Sequence, residues 1–581
     1  MSKTSTDHFF KNTVLGHPAG LFVLFFTEMW ERFSFYGMRA LLVMFFTSTA
    51  LNGGWDWTRE QAMALFGSYV GLVYLSTMLG GYFADKKIGY RYAVLVGALL
   101  MTLGHGSMAL ETPFFIYSGL ILLVFGNGFF KPNMTSIVSE MYKDRPEKKD
   151  GAYTIFYMGV NSGAFFGIVL CGYLGEQIGW SWGFGLAGIF MLFGLIQFWL
   201  SQNIFGDIGL KPVKKQIALT DENHDKLNPF PVWQLALIGL MTALGLVWII
   251  FEPAKIITNG SLDVFDFKIF GLSGNNFTIL AAILLFIFLL SYRLMNYSQV
   301  TREKMMAVSF FAFLTIFFWA IFEQAPGTLT IFAKDYTNRV LEGNAGMIFK
   351  LVNAAIVIIP LAIITCVLLL LFKQTFAKYS TANLVLGTSF VIIWGIAIWM
   401  LKNQFSKDSL EVPASWFSSL NSLYIIALAP LFSKWWESRY NPSANMKYAF
   451  GMAFLAIGMI TVAIGANGIL PGAKTASVSM IYLILVYLFA TMAELCISPV
   501  GLSYVSKLVP ARMIAIMFGI WYLAVAIGMK GAAKFGENID KIANENGLSY
   551  FFWMLAIVSL IVAFLSFAMS PVIKKLMHGV R

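Results

Sequence analysis

Apolar runs of about 20 residues, separated by short polar loops, repeat along almost the whole chain. Each is long enough for a helix to cross the roughly 30 Å hydrocarbon layer of a bilayer. The pattern predicts helices at 20–48, 62–83, 91–110, 114–131, 152–174 and 183–201. A polar stretch from Gln202 to Pro231 follows, carrying Lys211, Lys214, Lys215, Asp221, Glu222, His224 and Asp225. The runs then resume at 233–251, 277–295, 305–333, 347–372, 382–401, 417–435, 446–466, 477–505, 511–533 and 549–573. About sixteen spans, an even number, put both termini on one side. The first run is longer than a signal-peptide core and no small-residue cleavage pattern follows it, so it is expected to remain as the first spanning helix.

Composition agrees with this pattern. The chain is 58% hydrophobic and 12% charged, which excludes an ordinary cytosolic enzyme. A net charge of +11 raises the question of nucleic acid, but the cations are scattered in short loops rather than gathered on one face. The loops at 85–91, 143–150, 202–231 and 293–304 are basic, whereas 47–60 and 111–113 carry few cations. By the positive-inside rule the basic side, with both termini, is cytoplasmic. Cys171, Cys366 and Cys496 lie in apolar runs without CxxC spacing, and the five histidines show no paired spacing. Neither a disulfide framework nor a metal site is expected.

The costly residues are charges inside apolar runs. Glu28, Glu31 and Arg32 sit near the middle of the first helix. Each ionised group at that depth costs about 2.5–3.5 kcal/mol on insertion scales. Glu28 pairs with Glu31 at i,i+3 and with Arg32 at i,i+4, and Arg39 lies further along much the same face. A structural ion pair alone has no need of a second carboxylate, and a carboxylate beside an arginine can exchange a proton while the arginine cannot. Lys131 ends an apolar helix directly before Pro132 and Asn133. Its plain alternative is a cation snorkelling to the interface. Tyr153, Tyr157 and Asn161 then recur at helical spacing, a polar stripe that a lipid-facing helix has no use for. Glu494 follows some 17 apolar or small residues and is another intramembrane charge. Glu323, in FFWAIFEQAPG, is balanced between that status and a solvated position near an outer helix end.

The loop GGYFADKKIGYR (80–91) resembles the one between helices two and three of the major facilitator superfamily. ExxERFxxYG at 28–37, FxKPN at 129–133 and FYxxxNxG at 156–163 together resemble the proton-coupled oligopeptide transporter family of that superfamily. The second half agrees through FFWAIFEQ (317–324), WFSSLN (416–421), AELCISPVGLS (493–503) and GIWYLA (519–524). The resemblance implies an all-α polytopic membrane protein of two six-helix bundles plus about four extra helices. The implied division is a cytoplasmic N-terminus at 1–19, a first bundle at 20–201, a linker at 202–232 and an extra helix pair at 233–304. The second bundle would comprise 305–333 and 412–573, interrupted by a second inserted pair at 334–411, with a cytoplasmic C-terminus at 574–581.

The resemblance also implies roles. Glu28, Glu31 and Arg32 would form the proton-coupling motif, with Lys131 pairing to it. Arg39 and Lys131 would offer positive charge to a peptide carboxylate, and Tyr36, Tyr69 and Tyr157 would line the cavity. Asn161 and Asn421 would bond peptide backbone or termini. Glu494, with Ser498 one turn later, would receive the amino terminus, and Trp319, Glu323 and Trp521 would complete the second wall. The implied activity is proton-driven symport of dipeptides and tripeptides into the cell by a monomer in the inner (plasma) membrane. No cofactor beyond the co-transported proton, no enzymatic activity and no nucleic-acid partner are implied.

The chain departs from the family pattern in places. Asn421-Ser422 stands for Asn-Pro, Gly528-Met529 for Gly-Asn, Phe35 precedes Tyr36 where some members have two tyrosines, and the second helix lacks the histidine of animal members. The pair at 347–401 is outside the usual pattern. It is expected to be a peripheral hairpin with a cytoplasmic turn at 373–381. The alternative is a carrier of the same fold for a peptide-like drug, nitrate or another small anion, which would not need opposed charged poles. A proton-translocating respiratory subunit would show mid-helix lysines in several helices, and a non-transporting receptor would not need the Glu28–Arg32 cluster.

Overall fold

A computed structural model describes residues 6–211, 229–471, 473, 475–508 and 514–580, and they are overwhelmingly helical. Lys214, Lys215, Asp221, Glu222, His224 and Asp225 of the linker lie outside the described residues, as do 1–5, 511–513 and 581.

The first half comprises α1 (Ala19–Thr47), α2 (Arg59–Phe83), α3 (Tyr90–Met108), α4 (Pro113–Met141), α5 (Lys149–Gln177) and α6 (Trp180–Ser201). Helix α2 starts at a capping box: Thr58 Oγ1 accepts from the Gln61 amide at 3.2 Å, and Gln61 Oε1 accepts from the Thr58 amide at 3.1 Å. Helices α1 and α5 pack closely because α5 presents Gly159, Gly163 and Gly167, four residues apart. A Cβ on Gly163 or Gly167 would collide with the Met29 or Phe33 carbonyl of α1. Helix α6 covers α1 from the other side, with Thr27 Oγ1 donating to Gln197 Oε1 at 2.9 Å.

A first extra pair follows, α7 (Val232–Ile257) and α8 (Gly274–Leu294), with α7 packed on α2. The run expected as one helix over 305–333 is broken. Helix α9 (Gln299–Phe322) ends at Glu323, a wide turn spans Ala325–Leu329, and a short α10 (Thr330–Asp335) follows. Pro326 has no amide hydrogen to give the helical ladder. The second extra pair is one 63-residue element, α11 (Gly343–Phe405), interrupted at Tyr379 (φ −127°, ψ 41°). At 1.5 Å per residue each arm can cross a bilayer. This hairpin packs on α6, with Phe390 set edge-on against Phe26 and Trp30 of α1.

The second half is completed by α12 (Ser419–Glu437), α13 (Ala444–Gly465), α14 (Ile481–Leu508), α15 (Ile514–Glu537), α16 (Ile539–Asn546), α17 (Leu548–Ala568) and α18 (Ser570–Leu576). Among the described residues twelve helices are long and apolar enough to cross a membrane. Counting the α11 hairpin as two and adding α1, α3 and α15, sixteen helical segments are long enough to span. The two halves meet along two seams, α2 against α15 and α5 against α12.

Candidate functional site

The charged residues of α1 are buried: Glu28 is 4% exposed, Glu31 0%, Arg32 3% and Arg39 5%. Arg32 holds both carboxylates. Its Nε is 3.2 Å from Glu28 Oε1, and Nη2 donates to Glu31 Oε1 at 2.8 Å while Nε also donates to Glu31 Oε2. Asn127 of α4 adds a donor, its Nδ2 lying 3.1 Å from Glu31 Oε1. Glu28 Oε2 is buried with no hydrogen-bond partner among the described residues.

Lys131 reaches this cluster electrostatically but forms no ion pair with Glu28 or Glu31 among the described residues. Its ammonium instead lies 4.6 Å from the centroid of the Tyr74 ring on α2, a cation–π contact. Tyr74 was not among the expected site residues, and neither was Asn127. The signal for Asn127 was an amide between two glycines in the middle of an apolar helix, in GNGFFKPN.

Arg39 and Glu323 meet each other. Glu323 is not solvated: it is 5% exposed and forms an ion pair with Arg39 across the two halves. Glu323 stands just after the end of α9, before the wide turn, and its carboxylate pairs with the Arg39 guanidinium. Phe35, in place of a second tyrosine, lies between two cations, 5.4 Å from the Arg32 guanidinium and 5.9 Å from that of Arg39. Tyr36 lies 6.0 and 5.9 Å from the same two groups.

In the second half Glu494 sits mid-way along α14. Asn421, in the first turn of α12, donates Nδ2 to Glu494 Oε2 at 2.9 Å and to Thr491 Oγ1 at 3.1 Å. Electrostatic interactions link Glu494 to Tyr36 and Tyr157, so residues of both halves surround one region. Tyr157 is 43% exposed, and its carbonyl accepts from Asn161 Nδ2 at 3.0 Å. Ser498, one turn beyond Glu494, and the buried Tyr69 have hydroxyls without partners among the described residues. Trp521 is buried against Gly501, and the half-buried Trp319 backs onto Gly528.

Further ties join the halves toward the end where α1 and α5 finish and α2 begins. Arg59 pairs with Asp335 and Asp540 at 2.5 Å each. Glu176 accepts from the Ala414 and Ser415 amides at 2.8 and 3.0 Å, and Trp416 Nε1 donates to the Val169 carbonyl at 2.9 Å. Lys334 donates to Ser48 Oγ at 2.9 Å. The molecule is closed at that end.

Two helical halves joined along paired seams, with buried charges facing a shared region, define a multi-pass membrane carrier of the major facilitator type. More narrowly, the chain belongs to the POT family, whose model matches residues 91–220 and 386–554. It is 31% identical to a peptide transporter of Yersinia enterocolitica, over 92% of this chain and 91% of that one. It is 28% identical to a di-/tripeptide transporter of Lactococcus lactis subsp. cremoris, over 98% and 99% of the two chains. A crystal structure of a peptide transporter in complex with sulfate superposes with a TM-score of 0.70 at 28% identity, covering 99% of this chain and all of the other. Members of this family are transporters rather than enzymes.

Proposed function

We propose that the protein is a proton-driven symporter of dipeptides and tripeptides that works by alternating access. The observation that carries this reading is the opposition of charged poles. Lys131, beside Tyr74 in the first half, and Glu494 in the second stand on either side of Tyr36, which interacts electrostatically with both Tyr74 and Glu494, while Arg32 and Arg39 are neutralised by protein carboxylates. A short peptide is a zwitterion with ends roughly 7–10 Å apart in extended form. Its ammonium would meet Glu494, held by Asn421, and its carboxylate would meet Lys131.

The α1 cluster supplies a route to coupling. Glu28 has one oxygen bound to Arg32 and one buried without a partner, so it is the carboxylate best placed to accept a proton. Protonation removes a negative charge within electrostatic reach of Lys131 and leaves that cation freer to engage the peptide carboxylate. Proton and peptide then favour each other reciprocally. The positive-inside rule supports a closed end on the outside of a bacterial-type inner membrane, with both termini cytoplasmic. Each half carries its own part of one site within one chain, consistent with a functional monomer.

Uptake of a labelled dipeptide into proteoliposomes, with and without an inward proton gradient, tests the reading. The expected result is concentrative uptake that collapses with a protonophore and is competed by unlabelled dipeptide. Gradient-independent uptake would remove the coupling, and competition by nitrate but not by dipeptide would replace the solute.

A further inference from the structure

A second buried charged cluster joins α7, α15 and α2, and none of its charged residues has a role in the proposed peptide and proton binding. Glu252 of α7 and Lys530 of α15 are 2% and 3% exposed, with Oε2 and Nζ 2.9 Å apart. Lys534 also pairs with Glu252, and its Nζ is 2.7 Å from Glu537 Oε2. Two carboxylates and two ammoniums balance: the three charges on α15 leave one positive charge, which among the described residues Glu252 compensates. Lys530 Nζ donates further to Ser68 Oγ at 2.9 Å and to the Ala64 carbonyl at 3.3 Å, both on α2.

The helices involved belong to different halves. The α7 backbone packs on α2, where a Cβ on Gly71 would come within 2.9 Å of Ile249 Cδ1. Helix α7 therefore rides with the first half, while Lys530 and Lys534 belong to the second. Between them α2 and α15 are in near backbone contact, since a Cβ on Gly67 would collide with the Ala533 methyl. Every bond from Glu252 to α15, and every bond from Lys530 to α2, crosses the seam that must open if this end opens. A helix serving only as a lipid-facing spacer has no use for a carboxylate buried against its neighbours.

We propose that Glu252 makes the extra helix α7 a latch, clamping Lys530 and Lys534 of α15 against α2 and holding this end of the carrier closed. Parting the seam leaves either the carboxylate or the ammoniums short of partners in a place of low polarity, and that cost favours the closed state.

The test uses full-length protein in nanodiscs, with Cys171, Cys366 and Cys496 replaced and Met63→Cys as reporter. Met63 is fully buried at the seam, packed where Gly327 and Gly536 leave room for it, so a cysteine there reacts only when the seam parts. Glu252→Gln is expected to raise the maleimide labelling rate at least about tenfold, since it leaves buried ammoniums short of a partner. Ser68→Ala, which keeps all four charges paired and removes one cross-seam acceptor, is expected to raise it by about threefold. Lys255→Gln, which breaks only the half-buried Lys255–Asp263 pair near the end of the same helix, should label as wild type. Wild-type rates in both Glu252→Gln and Ser68→Ala would overturn the latch. Should Glu252→Gln not fold, Ser68→Ala decides alone. Because labelling involves neither peptide nor proton, failure of the latch leaves the transport reading untouched.

Discussion

Replacing Glu323 by glutamine should open the closed end of the carrier. Arg39 and Glu323 are each 5% exposed and join α1 to the end of α9, so their pairing exists only while the halves are together. Removing one partner of a buried ion pair costs about 3–5 kcal/mol. Some is recovered here, because Phe35, Tyr36 and Phe66 place rings 5.6–5.9 Å from the stranded guanidinium and the new amide oxygen can still accept a hydrogen bond. Allowing roughly 1–2 kcal/mol for these leaves about 2–3 kcal/mol against the closed state. At 1.4 kcal/mol per decade, the closed-to-open ratio should fall by about 30- to 150-fold. Spin labels at Leu51 and Leu470, exposed in loops of the two halves at this end, would report it through their distance distribution. The wild type should give one short distance, and Glu323→Gln a large longer population. The double variant Arg39→Met/Glu323→Leu should recover part of the short population, because neither charge is then stranded. A distribution unchanged in Glu323→Gln, or a double variant whose effect is the sum of the two singles, would refute the argument.

Glu494→Gln should abolish binding of free dipeptides while sparing N-acetylated ones, and equal loss for both in a competition assay would point to a structural or proton-handling role. Lys131→Gln should severely impair gradient-driven accumulation while exchange of labelled for unlabelled peptide persists, and wild-type accumulation with unchanged pH dependence would return Lys131 to a snorkelling cation. Tyr74→Leu removes a contact worth roughly 0.5–2 kcal/mol, so proteoliposome uptake should change by about two- to thirtyfold, and no change would detach Tyr74 from the coupling region. Gly163→Leu forces a side chain against the Met29 carbonyl and should lower the melting temperature through about 1–3 kcal/mol of overpacking. An unchanged melting curve would contradict the close α1–α5 approach.

Much of this architecture was legible because lipid imposes a simple code. Spans are long apolar runs, and a charge within one is conspicuous, which brought out Glu28, Glu31, Arg32 and Glu494 at once. Contacts along one helix were equally readable: the i,i+4 spacing of Glu28 and Arg32 reappears as a 3.2 Å approach. Pairings between helices were not, since they depend on crossing angle and relative depth. Nothing in the sequence near Arg39 names Glu323, 284 positions later, and nothing near Lys131 names Tyr74. The run at 305–333 looked continuous because the short segment Glu323–Thr330 lies between the apolar stretches FFAFLTIFFWAIF and IFA, and hydropathy does not register the amide hydrogen that Pro326 lacks. Glu252 passed unnoticed for a similar reason: it stands near the end of a strongly apolar run, where its partner on α15 is invisible.

Both extra helix pairs ride on the first half, α7 and α8 through α2 and the α11 hairpin through α6. That half therefore carries ten of the long helical segments and the other six. When two bodies turn against each other in a viscous sheet, the one with the wider footprint turns less. Under the proposed alternating access, the first half should act as a stator and the second as a rotor, so that most of the angular travel falls on α9 and α12–α17. Any lipid dependence of the turnover rate should then reside in the friction on those helices, while the ten-segment half stays nearly still in the membrane frame.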